Sequence, residues 1–243
     1  MRHNAINLQA VNSQLDFWVS WHAACLMMAI LVASYLGSIA VLQIVGFISM
    51  LICASIWLRA QRQFYYFGLA NSITLMRFCL LFAAPLWLPM EQGSFAAVIL
   101  LFLLLDGVDG GVARARQEES IFGARFDMET DALAILFLCL GLHVYHGIAL
   151  WILWPGLIRY IFVLFRAWYS VETVAERRSQ WGRVIYIVLA SSIALGFVFD
   201  HGLIEMLLWM ATFLVTLSFW QDLKELLQHR LSVGVFRHRA AKV

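Results

Sequence analysis

The stretch of sequence that decides the fold reads Asp106-Gly-Val-Asp109-Gly110-Gly-Val-Ala113-Arg114, then eight residues, then Gly123-Ala-Arg-Phe-Asp127-Met-Glu-Thr-Asp131. Four of the seven aspartates in the chain lie in it, although 63% of all residues are hydrophobic. A carboxylate at membrane depth is costly and usually has a function. We therefore expect these four aspartates to form the functional site and the rest of the chain to hold them in place.

The composition indicates an all-α integral membrane protein. Only 13% of its 243 residues are charged, against about 25% in soluble domains. Long apolar runs favour helices, because the strands of a membrane barrel would alternate apolar and polar residues. Eight spans are predicted, at residues 17–35, 37–58, 73–90, 95–114, 127–146, 148–169, 184–198 and 204–220.

The basic residues outside these spans predict the orientation. The loops at 36–38, 91–94, 143–147 and 200–202 contain no lysine or arginine. Basic residues occur instead in the alternate loops and at both ends of the chain: Arg2, Arg59, Arg62, Arg114, Arg116, Arg125, Arg177, Arg178, Arg183 and several between 224 and 242. By the positive-inside rule, both termini and the aspartates should face the cytoplasm.

Three segments outside the spans have distinct predicted roles. Residues 1–16 are expected to form a short polar tail without stable structure. Residues 58–71 combine arginines with clustered aromatic residues, which is typical of a helix lying on the membrane surface. The basic residues from 229 to 242 suit contact with anionic lipids.

Helix length places the acidic segments inside the membrane-spanning helices. Residues 95–105 supply eleven apolar residues, or about 16 Å of helix. A span needs about 20 residues, so this helix must continue through Asp106 to about Arg114. Residues 132–142 likewise need the residues before Asp131 to complete their span. Both acidic segments should therefore be helical and lie near the cytoplasmic interface.

The spacing of the aspartates predicts a cation site. Asp106 and Asp109 are three residues apart, and Asp127 and Asp131 are four apart, so each pair shares one helix face. The short connection 117–123 should make the two helices antiparallel neighbours whose acidic faces converge. Four converging carboxylates would repel one another unless cations neutralise them. Magnesium, held by carboxylates together with a substrate phosphate, is the expected ion.

Several other polar residues are candidates for binding. Asn71, Thr74 and Arg77 share one face of the third span, which could point at a phosphate or a base, or could simply cap and anchor the helix. Arg159 lies deep in the sixth span and needs an anionic partner, either a protein carboxylate or a bound phosphate, of which we favour the phosphate. Arg166 and Arg183, nearer the cytoplasmic side, could assist in binding a phosphorylated acceptor.

The complete acidic pattern resembles the signature of the CDP-alcohol phosphatidyltransferase family. That signature is Asp-x2-Asp-Gly-x2-Ala-Arg-x8-Gly-x3-Asp-x3-Asp, and the chain matches all eight specified positions: Asp106, Asp109, Gly110, Ala113, Arg114, Gly123, Asp127 and Asp131. The Asn-x2-Thr-x2-Arg pattern at residues 71–77 also resembles the start of the first core helix in many bacterial members. The resemblance implies a six-helix catalytic core at 71–228. It says nothing about residues 1–70, which we predict to be an extension with two transmembrane helices and the interfacial segment, and a basic cytoplasmic tail is expected at 229–243.

The resemblance also implies an activity. The four aspartates would bind the divalent cations that hold the diphosphate of a CDP-linked donor, most often CDP-diacylglycerol. Gly110 and Ala113 would leave space for the cytidine, and Arg114 and Gly123 would help to hold the nucleotide. Asp131 would also act as the general base for an acceptor alcohol, and CMP would leave. A homodimer in a bacterial plasma membrane is expected, with the lipid bilayer but no nucleic acid as a partner.

The sequence leaves the acceptor open. Members that use glycerol 3-phosphate commonly carry Gly-Lys-x-Lys-Thr before the fifth core helix, whereas this chain has Gly-Arg-Val-Ile-Tyr at 182–186. Two other functions compete with the enzyme. Buried aspartates could line the pathway of a divalent-cation transporter, although such a pathway should have acids throughout the membrane depth. A catalytically inactive scaffold of the same fold is the other alternative, against which the intact signature argues.

Overall fold

A computed structural model describes residues 2–61, 67–87, 92–118, 120–169, 180–199 and 202–240. Within these ranges the chain is all-helical, as predicted, and contains no strand. Its eight α-helices are α1 (Arg2–Leu36), α2 (Ala40–Gln61), α3 (Gly68–Trp87), α4 (Gln92–Arg116), α5 (Ile121–His146), α6 (Trp154–Trp168), α7 (Gln180–Gly196) and α8 (Gly202–Ala240). A short 3-10 turn, Leu150–Leu153, leads into α6.

Two helices are longer than the sequence suggested. The prediction that residues 1–16 lack stable structure is wrong, because α1 begins at Arg2 and runs without interruption to Leu36. Similarly, α8 continues through the predicted basic tail to Ala240. The centre of the predicted interfacial helix, 62–66, lies outside the described residues, as do Arg177 and Arg178.

The helices are those of an integral membrane protein. Five described segments are long and apolar enough to cross a bilayer: Ser13–Leu36, Ala40–Arg59, Ile121–His146, Leu150–Trp168 and Gly202–Gln228. The shorter segments Gly68–Ala83 and Trp181–Gly196 are also apolar. Because α4 carries Asp106, Asp109, Arg114 and Arg116 in its second half, its charge is high for a spanning helix.

Helix α5 is the centre of the bundle. Every residue from Ala132 to Leu142 is buried, and α5 packs against α1, α2, α3, α6 and α7. A helix that is apolar all round must be enclosed in this way. Gly156 of α6 allows the closest approach, since a Cβ built on it would lie 2.8 Å from the Cα atom of Leu136. Asp127 and Asp131 therefore project from the most enclosed helix of the protein.

The connection between α4 and α5 is short and well defined. Gln117 has a left-handed backbone with φ of 55°, and the backbone N–H of Glu118 donates to the carbonyl of Ala113. Ser120 then caps α5 by accepting from the backbone N–H of Gly123. However, α4 packs chiefly along α3 rather than along α5 as expected. Helix α3 consequently contributes its own side chains to the space between the two acidic segments.

Candidate active site

The four predicted aspartates converge at the ends of α4 and α5 that face their connection. One carboxylate oxygen from each of Asp106, Asp109 and Asp127 lies within 4.8 Å of the other two. Asp131 follows Asp127 by one helical turn, and it joins the same group because Arg77 contacts both carboxylates. The spacing rules used on the sequence therefore bring the acidic faces of the two helices together.

Arg77 of α3 lies at the centre of this group and pairs with all four aspartates. Its Nη1 is 2.9 Å from Asp109 Oδ2 and 2.9 Å from Asp127 Oδ1. Its Nη2 is 3.0 Å from Asp106 Oδ1 and also contacts Asp131 Oδ1. The side chain of Arg77 is fully buried. One guanidinium offsets only part of the charge of four ionised carboxylates, so the site retains an excess of negative charge.

Arg77 is held in place from two further sides. The ring of Phe102, on α4, lies under the guanidinium, with its centroid 4.6 Å from Cζ. This cation–π contact is attractive and excludes water from that face. Thr74, one turn before Arg77, donates from its hydroxyl to Asp109 Oδ2 at 3.1 Å. The polar face predicted for the start of α3 thus points into the aspartate cluster.

Asn71 lies on the same face of α3 and approaches α5 closely. A Cβ atom built on Gly123 would lie 2.6 Å from Asn71 Oδ1 and 3.0 Å from Ser120 Oγ. A residue with a side chain would fit between these two polar groups only if one of them moved. Asn71 does not cap its helix, because α3 begins at Gly68, three residues earlier. Gly123 therefore allows the close packing of α3 on the first turn of α5.

Substituting Gly123 with alanine should lower stability and disturb the aspartates. The added methyl must displace Asn71 or Ser120, and overpacking of this kind costs about 1–3 kcal/mol. Gly107→Ala is the matched control, because nothing lies within 4 Å of a Cβ at that position. Thermal unfolding of the two variants in detergent would compare them. Equal stabilities would contradict the close packing described here.

The remaining nucleotide candidates border open space. A Cβ on Gly110 would meet only Arg114 Nη1, at 3.6 Å, and Ala113 is partly exposed. Arg114 itself is exposed. This side of α4 leaves the backbone beside the aspartates open to a flat group.

The three candidate acceptor arginines have different surroundings. The anionic partner of Arg159 is a protein carboxylate, with Nη2 2.5 Å from Glu129 Oε1. Arg166 is partly buried near the end of α6, and Arg183 is exposed on α7. Sequence reasoning missed Glu129, although an acidic residue between Asp127 and Asp131 in an apolar helix was a visible signal.

Tyr186 is a second residue that sequence reasoning did not single out. It lies one turn after Arg183 on α7, and its buried hydroxyl has no hydrogen-bond partner among the described residues. It interacts electrostatically with Asp131 and Asp106. Its position in the motif 182–186, on the same helix face as Arg183, could have identified it.

The residues present fit a divalent cation. Carboxylate oxygens are the ligands that Mg²⁺ prefers, and three of them are already grouped around a buried cationic side chain. The guanidinium of Arg77 shows that this volume favours positive charge. The negative charge that remains after pairing with Arg77 is available to metal ions.

Comparison with known proteins agrees with this chemistry. The sequence model of the CDP-alcohol phosphatidyltransferase family matches residues 67–218, which include α3 to α7 and the four aspartates. No protein with a curated description and no solved structure matches the chain. The family implies transfer of a phosphate-linked group from a CDP-alcohol.

Proposed function

The chain belongs to the CDP-alcohol phosphatidyltransferase family, and we propose that it transfers a phosphatidyl group from CDP-diacylglycerol to an acceptor alcohol, with release of CMP. The observation that carries the proposal is the convergence of Asp106, Asp109 and Asp127, whose oxygens lie within 4.8 Å of one another. Such a group is suited to a diphosphate held through cations. The apolar helices that surround the site suit a donor with lipid chains.

Asp106, Asp109, Asp127 and Asp131 would hold one or two Mg²⁺ or Mn²⁺ ions. Such ions would neutralise charge on the phosphates and orient an in-line displacement. Arg77, which now pairs with all four carboxylates, would share them with the ions and keep them close together. Thr74 would fix the carboxylate of Asp109 through their hydrogen bond of 3.1 Å.

Asp131 would take the proton from the acceptor hydroxyl. The alkoxide oxygen then forms a bond to the phosphorus that bears the lipid, and the bond from that phosphorus to the oxygen of CMP breaks. A carboxylate beside cations is a weak base, so its contribution comes from position. Because Asp131 projects from the enclosed helix α5, that position is rigidly held.

The nucleotide would lie on the open side of α4. Gly110 and Ala113 would leave room for the cytidine, and Arg114 would contact it. Gly123 and Asn71, which lie close together at the start of α5, would line the nucleotide site. In this proposal Thr74 and Arg77 act on the nucleotide indirectly, through Asp109 and its neighbours.

The acceptor would approach from the side of α6 and α7. Arg166 and Arg183 remain candidates for a phosphate on the acceptor, whereas Arg159 is paired with Glu129 on the other side of α5 from Asp127 and Asp131. The active site and both termini would face the cytoplasm, where CMP is released, and the active form would be a homodimer.

Release of CMP from CDP-diacylglycerol tests the proposal. Purified full-length protein with Mg²⁺ should release CMP when the right alcohol is present, and EDTA should abolish the release because the carboxylates alone cannot hold a diphosphate. Excess Mn²⁺ or Mg²⁺ should restore it. The acceptors would be glycerol 3-phosphate, serine, inositol, inositol phosphate and glycerol, each with a control lacking acceptor. No CMP from any of them, while another family member is active in the same assay, would refute the proposal.

A further inference from the structure

A buried polar cluster joins the N-terminal helices to the back of the aspartate helix. It contains His22 of α1, Ser49 of α2, Glu129 of α5 and Arg159 of α6. His22 and Glu129 are at most 1% exposed. The family match begins only at residue 67, so half of this cluster lies in the N-terminal extension.

The hydrogen bonds within the cluster have a defined direction. Trp18 Nε1 donates to Ser49, to its carbonyl at 2.9 Å and to its Oγ at 3.2 Å. The hydroxyl of Ser49 can therefore donate to His22 Nδ1, which is 2.6 Å away, and we assign this direction to the hydrogen bond. Neutral His22 must then carry its proton on Nε2. That N–H faces Glu129.

His22 and Glu129 each have one buried polar atom that faces the other residue. His22 Nε2 and Glu129 Oε2 are 3.9 Å apart, and neither atom has a hydrogen-bond partner among the described residues. Buried donors and acceptors are normally paired. The other oxygen of Glu129 is held by Arg159. A donor from α1 and a cation from α6 therefore converge on one carboxylate of α5.

A second ionic contact lies one helical turn away. Asp16 of α1 pairs with Arg125 of α5, so Arg125 and Glu129 both face the N-terminal extension. Asp127 and Asp131 follow them by two residues each, which is about 200° around the helix. The two pairs therefore lie on nearly opposite faces of α5. Any rotation of α5 that breaks the rear contacts must move both catalytic-site aspartates.

We propose that His22 is a positioning residue: through Glu129, and together with Arg159, it fixes the rotation of α5 and thereby the placement of Asp127 and Asp131 for metal binding. The N-terminal extension is then part of the active unit rather than an accessory anchor. The proposal uses the metal-binding role of the aspartates from the proposed function. Groups that hydrogen-bond directly to metal ligands change metal affinity by about 10–100-fold when removed, and we expect a cluster that acts through the rotation of α5 to lie at the lower end of that range.

Three substitutions of His22 separate positioning from simple packing. The amide nitrogen of glutamine overlies Nε2 of histidine, whereas that of asparagine overlies Nδ1. His22→Gln keeps a donor aimed at Glu129, while His22→Asn and His22→Leu remove it. The affinity for Mn²⁺, measured by electron paramagnetic resonance on the purified full-length protein, is the first readout. His146→Leu serves as the control, because His146 packs on Phe197 at the other end of α5.

We expect His22→Gln and His146→Leu to bind Mn²⁺ within about threefold of the unchanged protein, and His22→Asn and His22→Leu to bind it about 10-fold more weakly. In the CMP assay, the weak-binding variants should need about 10-fold more Mg²⁺ for half-maximal turnover. If His22→Leu fails to fold, the comparison of His22→Gln with His22→Asn is sufficient to test the proposal.

Two results would overturn the proposal. Unchanged Mn²⁺ affinity in His22→Asn would remove the role of the donor, and equal losses in His22→Gln and His22→Asn would assign His22 to packing. The Mn²⁺ measurement does not depend on turnover. It therefore remains decisive even if the chain releases no CMP, and the failure of one proposal is distinguishable from the failure of the other.

Discussion

Asp131→Asn is expected to lower kcat by about 10²–10⁴-fold, the usual contribution of a positioned general base. Asparagine has the same shape as aspartate but cannot accept the proton of the acceptor hydroxyl. The fold should persist, because Asp106, Asp109 and Asp127 continue to pair with Arg77. CMP release at saturating donor would measure kcat, and binding of a non-transferable CDP analogue would show whether the donor site is intact.

Glu225→Gln is the matched carboxylate-to-amide control, since Glu225 is exposed on α8. It should retain full activity. Turnover of Asp131→Asn above about one tenth of the unchanged rate would refute the assignment of Asp131 as base. Loss of analogue binding in parallel with turnover would instead assign Asp131 to metal binding alone.

Arg77→Met should destabilise the metal-free protein by about 3–5 kcal/mol, the range observed when one partner of a buried ion pair is removed. The substitution leaves four carboxylates facing one another with no counter-charge from α3. Added Mg²⁺ should restore much of the loss, because a cation bound only by the folded state stabilises it by an amount that grows with the logarithm of the ratio of its concentration to its dissociation constant. Thermal unfolding in detergent, with EDTA and then with increasing Mg²⁺, would measure both effects.

The matched control is Arg116→Met, which removes an exposed arginine at the end of α4. An exposed substitution of this kind should change stability by less than about 0.5 kcal/mol. The dependence of unfolding on Mg²⁺ should be steeper in Arg77→Met than in the control. Equal stability of the two variants in EDTA would show that Arg77 is not the counter-ion of the cluster.

Local pattern was sufficient to predict much of the site. The spacing of Asp106, Asp109, Asp127 and Asp131 placed two carboxylates on each helix face, and the length of the apolar runs required both acidic segments to be helical. Both are properties of a single helix and follow from its period. The same reasoning failed at residues 1–16, where a polar composition suggested disorder and the structure has a helix whose Asp16 pairs with Arg125.

The sequence alone thus determined the helical membrane fold, the two acidic faces and the family signature, since each depends on residues close together in the chain. Only the tertiary structure decided which partners those residues have. Arg77 meets Asp131 across 54 positions and Asp127 across 50, and Arg159 meets Glu129 across 30. Contacts between residues so far apart in the sequence depend on how the helices pack against one another. They cannot be predicted from the periodicity of a single helix. Hence Arg77, which from the sequence could equally have bound a phosphate or a base or anchored its helix, lies among the aspartates, and the N-terminal extension reaches the back of the helix that carries two of them.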